Sequence, residues 1–204
     1  MRKLIVPAFI SLDGVVQAPG GPEEDTSGGF AHGGWVWPYA DGSDEVMDGV
    51  FKRPFELLLG RRTYDIFAAY WPHVAEGAPH RGIADLFNGT AKHVATHHSD
   101  TLAWQNSQAL RPEIATAVRE LKRGNGTDLV TQGSSDLVHQ LLATDLIDEL
   151  RLLVYPILLG PGKRLFDDRS QASAFRLEQS KATSTGVLIN RYVRAGELQT
   201  GSFD

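Results

Sequence analysis

Residues 57–63, LLLGRRT, set a glycine, two arginines and a threonine directly behind an apolar run. Glycine lets a backbone approach a ligand closely, and arginine grips phosphate through paired N–H donors. A helix starting at the same point offers unpaired amides to an anion. A second stretch, Gln132-Gly133-Ser134-Ser135, repeats the pattern with hydroxyls in place of the cations. Each turn alone is also ordinary helix-capping chemistry. Together, Gly60, Arg61, Arg62, Thr63, Gly133, Ser134 and Ser135 form two anion-ready helix ends, the requirement of a dinucleotide diphosphate carrying an extra phosphate.

Other chemistries find less support. No G-x-G-x-x-G follows the first apolar run and no G-x-S-x-G elbow occurs. Gly160-Pro161-Gly162-Lys163-Arg164 lacks the upstream glycine and the hydroxyl of a phosphate loop. His93, His97 and His98 sit in or near one apolar segment, and a metal would need a further ligand from elsewhere, so no metal is expected. Asp44, Glu45 and Asp48 follow Ser43, where acidic residues suit a helix start. The chain has no cysteine, which excludes disulfides, thiolate metal sites and the cysteine-ligated zinc of nucleobase deaminases.

The elements that must position these residues follow from periodicity. KLIVPAFI (3–10), FELLLG (55–60), AKHVATHH (91–98), TDLVTQG (127–133) and DELRLLVYPILLG (148–160) read as strands. SDEVMDGVFKR (43–53), RRTYDIFAAYW (61–71), a segment from Pro112 to Arg123 and SSDLVHQLLAT (134–144) read as helices, the last capped by Ser134 or Ser135. FRLEQSKAT and GVLINRYVRA close the chain as an exposed antiparallel pair. Alternating strands and helices predict one α/β domain over residues 1–204, three-layered α/β/α, with a mostly parallel mixed sheet and antiparallel C-terminal strands. Residues 17–42 are rich in Gly and Pro yet carry Phe30, Trp35, Trp37 and Tyr39. Such a loop is a lid over a site, or an arm packed on its own surface or on a partner subunit.

With 204 residues and a formal charge of −5, general nucleic-acid or anionic-membrane binding is disfavoured. No apolar run is long enough for a signal peptide or a membrane span, so a cytoplasmic protein is expected.

Four segments in order carry a resemblance: IVPAFISLDGVV (5–16), LLLGRRTYDIF (57–67), VTQGSSDLVHQLL (130–142) and DELRLLVYPILLGPGKRLF (148–166). They resemble the dihydrofolate reductase superfamily, in the branch of the reductase domain of the bifunctional riboflavin-biosynthesis deaminase/reductase. The resemblance implies a dihydrofolate reductase-like fold and an NADPH-dependent reductase. Arg61 would face the 2′-phosphate, Arg62 and Thr63 the diphosphate, and Thr96 and His97 the adenosine. Gly133, Ser134 and Ser135 would grip the diphosphate, and Ala8 and Val16 would border the nicotinamide. Asp44 and Asp13 are the proton-donor candidates, and Lys163 and Arg164 the cations for a substrate phosphate. A small-molecule substrate and a homodimer are also implied. The chain departs from the family pattern where Gln132-Gly133 replaces a glycine pair, in its longer loop after Gly14, and in lacking a deaminase half. A riboflavin-type reductase, a same-fold reductase with an unrelated carbonyl or imine substrate, and a non-catalytic nucleotide-binding dimer are the readings carried forward.

Overall fold

The computed structural model describes residues 1–40, 51–98, 102–110, 113–168 and 170–203. Each continuous apolar run becomes a strand buried on both faces, as parallel pairing requires. These are β1 (Leu4–Ser11), β2 (Phe55–Gly60), β3 (Lys92–Ala95), β5 (Asp128–Val130) and β6 (Glu149–Tyr155). The short strand β4 (Ser107–Leu110) and the pair β7 (Phe175–Ala182) and β8 (Leu188–Arg194) complete one sheet, ordered β4-β3-β2-β5-β1-β6-β8-β7. The pairings from β4 to β6 are parallel, and β8 joins β6 and β7 antiparallel.

Four described helices cover the sheet: α1 (Arg61–Tyr70), α2 (Arg81–Gly89), α3 (Ile114–Arg123) and α4 (Ser135–Ala143). Strand alternation sorts the core into two layers. Leu4, Val6, Ala8 and Ile10 of β1 pack with Val118 of α3 and Leu137, Val138 and Leu141 of α4. Ile5, with Leu57 and Leu59 of β2, packs on the other face against Tyr64 of α1 and Phe87 of α2. A third cluster lies beyond these layers, where Phe30 and Trp35 of the long loop meet Leu153 and Tyr155 of β6.

Several boundaries differ from expectation. β6 stops at Tyr155 because Pro156 has no N–H to donate to a ladder. β3 ends at Ala95, and the residues after it turn back on themselves, with the His98 amide donating to Thr96 Oγ1. β4 and α2 have no counterpart in the sequence reading. β7 and β8 form the expected antiparallel pair at one end of the sheet, with β7 the outermost strand. The helix expected from Ser43, with Asp44, Glu45 and Asp48, falls mostly outside the described residues, and Asp44 wholly so.

Candidate functional site

β2 and β5 are neighbours in the sheet, yet α1 leaves β2 toward one face and α4 leaves β5 toward the other. Such a divergence opens a crevice beyond the strand ends, where open α/β sheets bind ligands. A cavity of about 240 Å³ lies there. Its lining includes Ala8, Val16, Gly60, Arg61, Arg62, Thr63, Gly133, Ser134, Ser135 and Lys163, ten of the residues singled out from sequence.

The two glycine turns are locked together. The Gly60 amide donates to Ser134 Oγ at 2.9 Å, and the Ser134 amide donates to Thr63 Oγ1 at 2.9 Å. Gly133 has φ +69° and Ser134 φ +52°, consecutive left-handed residues that turn the chain sharply into α4. A Cβ on Gly133 would sit 3.1 Å from the Thr63 methyl, and one on Gly60 would lie 3.2 Å from Ser134 Oγ. Ser134 occupies the cap position of α4, but its hydroxyl serves Gly60 instead of capping its own helix. The left-handed Ser134 is the strained geometry that clusters at ligand sites.

Arg61 binds Asp65 one turn along α1, with Nε to Oδ1 at 2.9 Å, and its Nη1 donates to the His98 carbonyl at 3.2 Å. Arg61 thereby joins the end of β3 to the cavity rim. Thr96 and His97 stand in that turn without lining the cavity; Thr96 is buried and His97 exposed. His93 faces elsewhere, its ring held between Glu56 (2.7 Å) and Gln108 (2.7 Å).

The opposite wall comes from the long loop, and its site residues escaped the sequence reading. Gln17 is buried and anchors this wall: its Nε2 donates to the carbonyls of Asp25 and Ser27, and its Oε1 accepts from the Lys163 amide. Asp25 reaches across to Arg62 (2.6 Å) and Lys163 (2.5 Å). Burial pushes the Asp25 carboxyl up, but bonds from Lys163 and Ser27 outweigh it and hold the group below the usual carboxylate range. Glu24 also lines the cavity; burial pushes its carboxyl up, against the amides of Gly20 and Gly21 that favour the charged form. Trp35 fixes the loop from behind, buried against Tyr155 and donating to the Gln17 carbonyl. The loop therefore packs on its own chain and walls the cavity at once.

The other two sequence candidates stand outside. Asp13 accepts from Ser11 Oγ and from the amides of Leu159 and Gly160. The Ser11 hydroxyl first, then these amides, hold its carboxyl down at about 2 against the opposing effect of desolvation. Arg164 turns toward Asp13 at 4.0 Å, so the expected cation pair is split, Lys163 inside and Arg164 outside. Gly162 explains the Gly-Pro-Gly sequence, because a Cβ there would meet Val15 at 2.7 Å and the Phe30 ring at 3.1 Å. His139 of α4 donates to the Leu165 carbonyl at 3.0 Å, which holds this segment against the crevice.

Residues 2–189 match the RibD C-terminal domain family. The chain belongs to that family. It is 24% identical over 189 residues to the uncharacterized protein YyaP of Bacillus subtilis (strain 168), covering 92% of each chain. It is likewise 24% identical over 194 residues to YwjB of the same organism, also uncharacterized, covering 95% of this chain and 99% of that one. Two solved structures share the fold. One is a putative riboflavin biosynthesis protein from Shewanella sp. PV-4, with TM-score 0.62, 18% identity and coverage of 95% and 99%. The other is a pyrimidine reductase-like protein from Corynebacterium diphtheriae, with TM-score 0.56, 15% identity and coverage of 96% and 93%. The mixed sheet with antiparallel C-terminal strands is the fold that the family resemblance implied.

Proposed function

We propose that this RibD C-terminal domain protein is an NADPH-dependent reductase acting on a C=N or C=O group of a pterin-like or ribosylaminopyrimidine substrate. It would resemble 5-amino-6-(5-phosphoribosylamino)uracil reductase of riboflavin biosynthesis. The observation that carries the reading is the pair of interlocked glycine turns at the crevice between β2 and β5. A Cβ on either glycine would crowd Thr63 or Ser134, so both turns present bare backbone beside helix ends that suit a diphosphate. Immediately before Gly133, Gln132 lines the cavity with a buried Oε1 that has no hydrogen-bond partner among the described residues, an acceptor suited to a carboxamide N–H.

The reduced nicotinamide supplies the hydride when bound, and the chain supplies binding, orientation and a proton. Arg61, already at the rim with the end of β3, takes the 2′-phosphate, while Thr63 and the Ser134–Ser135 turn take the diphosphate. Ala8 and Val16 offer small apolar surfaces to the nicotinamide. Proton delivery falls to Glu24. It lines the cavity with a carboxyl biased toward the protonated form, whereas Asp25 is held ionised and Asp13 lies outside.

Tryptophan fluorescence titrated with NADPH and NADH tests the cofactor assignment. Arg61→Ala should weaken NADPH binding about ten- to a hundredfold, the loss of a charge-assisted contact of about 1.5–3 kcal/mol, and leave NADH unchanged. Equal affinity for both nucleotides in the parent protein would remove the assignment. If neither binds, the chain is no nicotinamide reductase.

A further inference from the structure

We propose that Arg62 and Lys163 form a phosphate-binding subsite in which the Asp25 carboxylate competes for the two cations. The two cations come from distant parts of the chain, one at the start of α1 and one in the segment after β6, and both line the cavity. They meet one on each carboxylate oxygen of Asp25, Arg62 Nη2 on Oδ1 at 2.6 Å and Lys163 Nζ on Oδ2 at 2.5 Å. The Ser27 hydroxyl (2.6 Å) and amide (3.1 Å) complete the Oδ1 side. That is the arrangement of a bound oxyanion, with the anion supplied by the protein itself.

The charge balance favours exchange. The Arg62 and Lys163 side chains are 59% and 37% exposed, so solvent screens their pull on the Asp25 carboxylate, itself 10% exposed. A phosphomonoester brings up to two charges and three acceptor oxygens to the same cations. The cavity is also small. Its volume of about 240 Å³ falls below the roughly 300–1,000 Å³ of small-molecule sites. Release of Asp25 enlarges it, because Asp25 and Glu24 both form its wall. The Gln17 side chain grips the main chain at Asp25 and Ser27 rather than the carboxylate, so the Asp25 side chain is able to leave while the loop stays anchored. The subsite shares its cavity with the reductase reading but does not depend on hydride chemistry.

Calorimetric titration of the full chain with inorganic phosphate at neutral pH tests the proposal. Asp25→Asn removes the internal competitor and should tighten phosphate binding about tenfold. Arg62→Ala and Lys163→Ala should each weaken it at least about tenfold. Equal or weaker binding by Asp25→Asn, or no dependence on Arg62 and Lys163, overturns the subsite. Should Asp25→Asn fail to fold, Ser27→Ala loosens the same carboxylate and should tighten binding about two- to threefold; unchanged or weaker binding then overturns it. Ribose 5-phosphate and NADPH distinguish the two sources of the phosphate. Mutual exclusion of phosphate and NADPH assigns the subsite to the cofactor, and simultaneous binding of NADPH and ribose 5-phosphate assigns it to the substrate, both on the condition that Asp25→Asn tightens binding. A gain for phosphate without any NADPH binding defeats the reductase reading alone. NADPH binding without the Asp25→Asn gain defeats the subsite alone.

Discussion

The two walls of the crevice are built from different materials. One wall is backbone: Gly60, Gly133 and Ser134 hold their positions through amide-to-hydroxyl bonds and left-handed turns that leave no room for side chains. The other wall is side chain: Gln17 and Asp25 hold theirs through an amide clamp and through ion pairs to the partly exposed Arg62 and Lys163. These bonds tie the end of β2 and the first turn of α1 to the turn that opens α4, so the first wall is preorganised. Charge pairs across a cavity yield to a stronger anion, so the second wall responds to what enters. A crevice of this kind recognises a constant group on one side and adapts to a variable one on the other.

Substitutions on each wall sharpen that contrast. The largest effect is expected from Glu24→Gln on the responsive wall, which should lower kcat about a hundredfold once a substrate is found and leave NADPH affinity unchanged. The Glu24 carboxyl lies above its ordinary 4.5, so the protonated, donating form is lost as pH rises through the folded value. The parent rate should therefore fall across that limb, and Glu24→Gln should flatten it. A pH–rate profile of the variant that still shows the limb would move proton delivery elsewhere.

Gly133→Ala on the rigid wall comes next. It places a Cβ 3.1 Å from Thr63 at φ +69°, which should cost about 2 kcal/mol of stability in urea unfolding and weaken nucleotide binding with it. Normal stability in this variant would mean that the wall yields, and the contrast would fail. Thr63→Ala should cost about 1 kcal/mol, since the Ser134 amide loses its acceptor, with the loss read from the same unfolding curves.

Asp13 supplies the smallest effect, at the root of the loop. Its carboxyl is depressed from 3.8 to about 2, so its contribution is complete above the unfolded value and lost as pH falls through the folded one. Asp13→Asn should cost no more than about 1 kcal/mol at neutral pH. The stabilities of parent and variant should converge between about pH 4 and pH 2, as followed by circular dichroism. A difference that persists below pH 2 would mean that the variant disturbs the turn by shape rather than charge.

The rigid wall was legible in the sequence and the responsive wall was not. Gly60-Arg61-Arg62-Thr63 and Gly133-Ser134-Ser135 are local signals, since a strand, a glycine and a helix start are contiguous in the chain. Asp25 lies between Glu24 and Thr26 in a Gly- and Pro-rich stretch, where no periodicity says which side chain points inward. The same limit concealed β4 and α2. β4 is four residues of Ser-Gln-Ala-Leu at the sheet edge, and α2 is nine residues with glycines near both ends. Lys163 and Arg164 illustrate the remaining ambiguity, since adjacent residues after a strand face opposite ways and a sequence pattern does not say which way is inward.

The sequence alone determined the strand–helix alternation, the two glycine turns and the order of the segments that the family shares, because each rests on neighbours within a few residues. Only the tertiary structure decided that β2 and β5 would lie side by side with their helices on opposite faces. It also decided that Arg62, Lys163 and Asp25, spread over 138 residues of chain from Asp25 to Lys163, would share one cavity. Those choices depend on which apolar faces bury one another, and that free energy belongs to the assembled core rather than to any local segment.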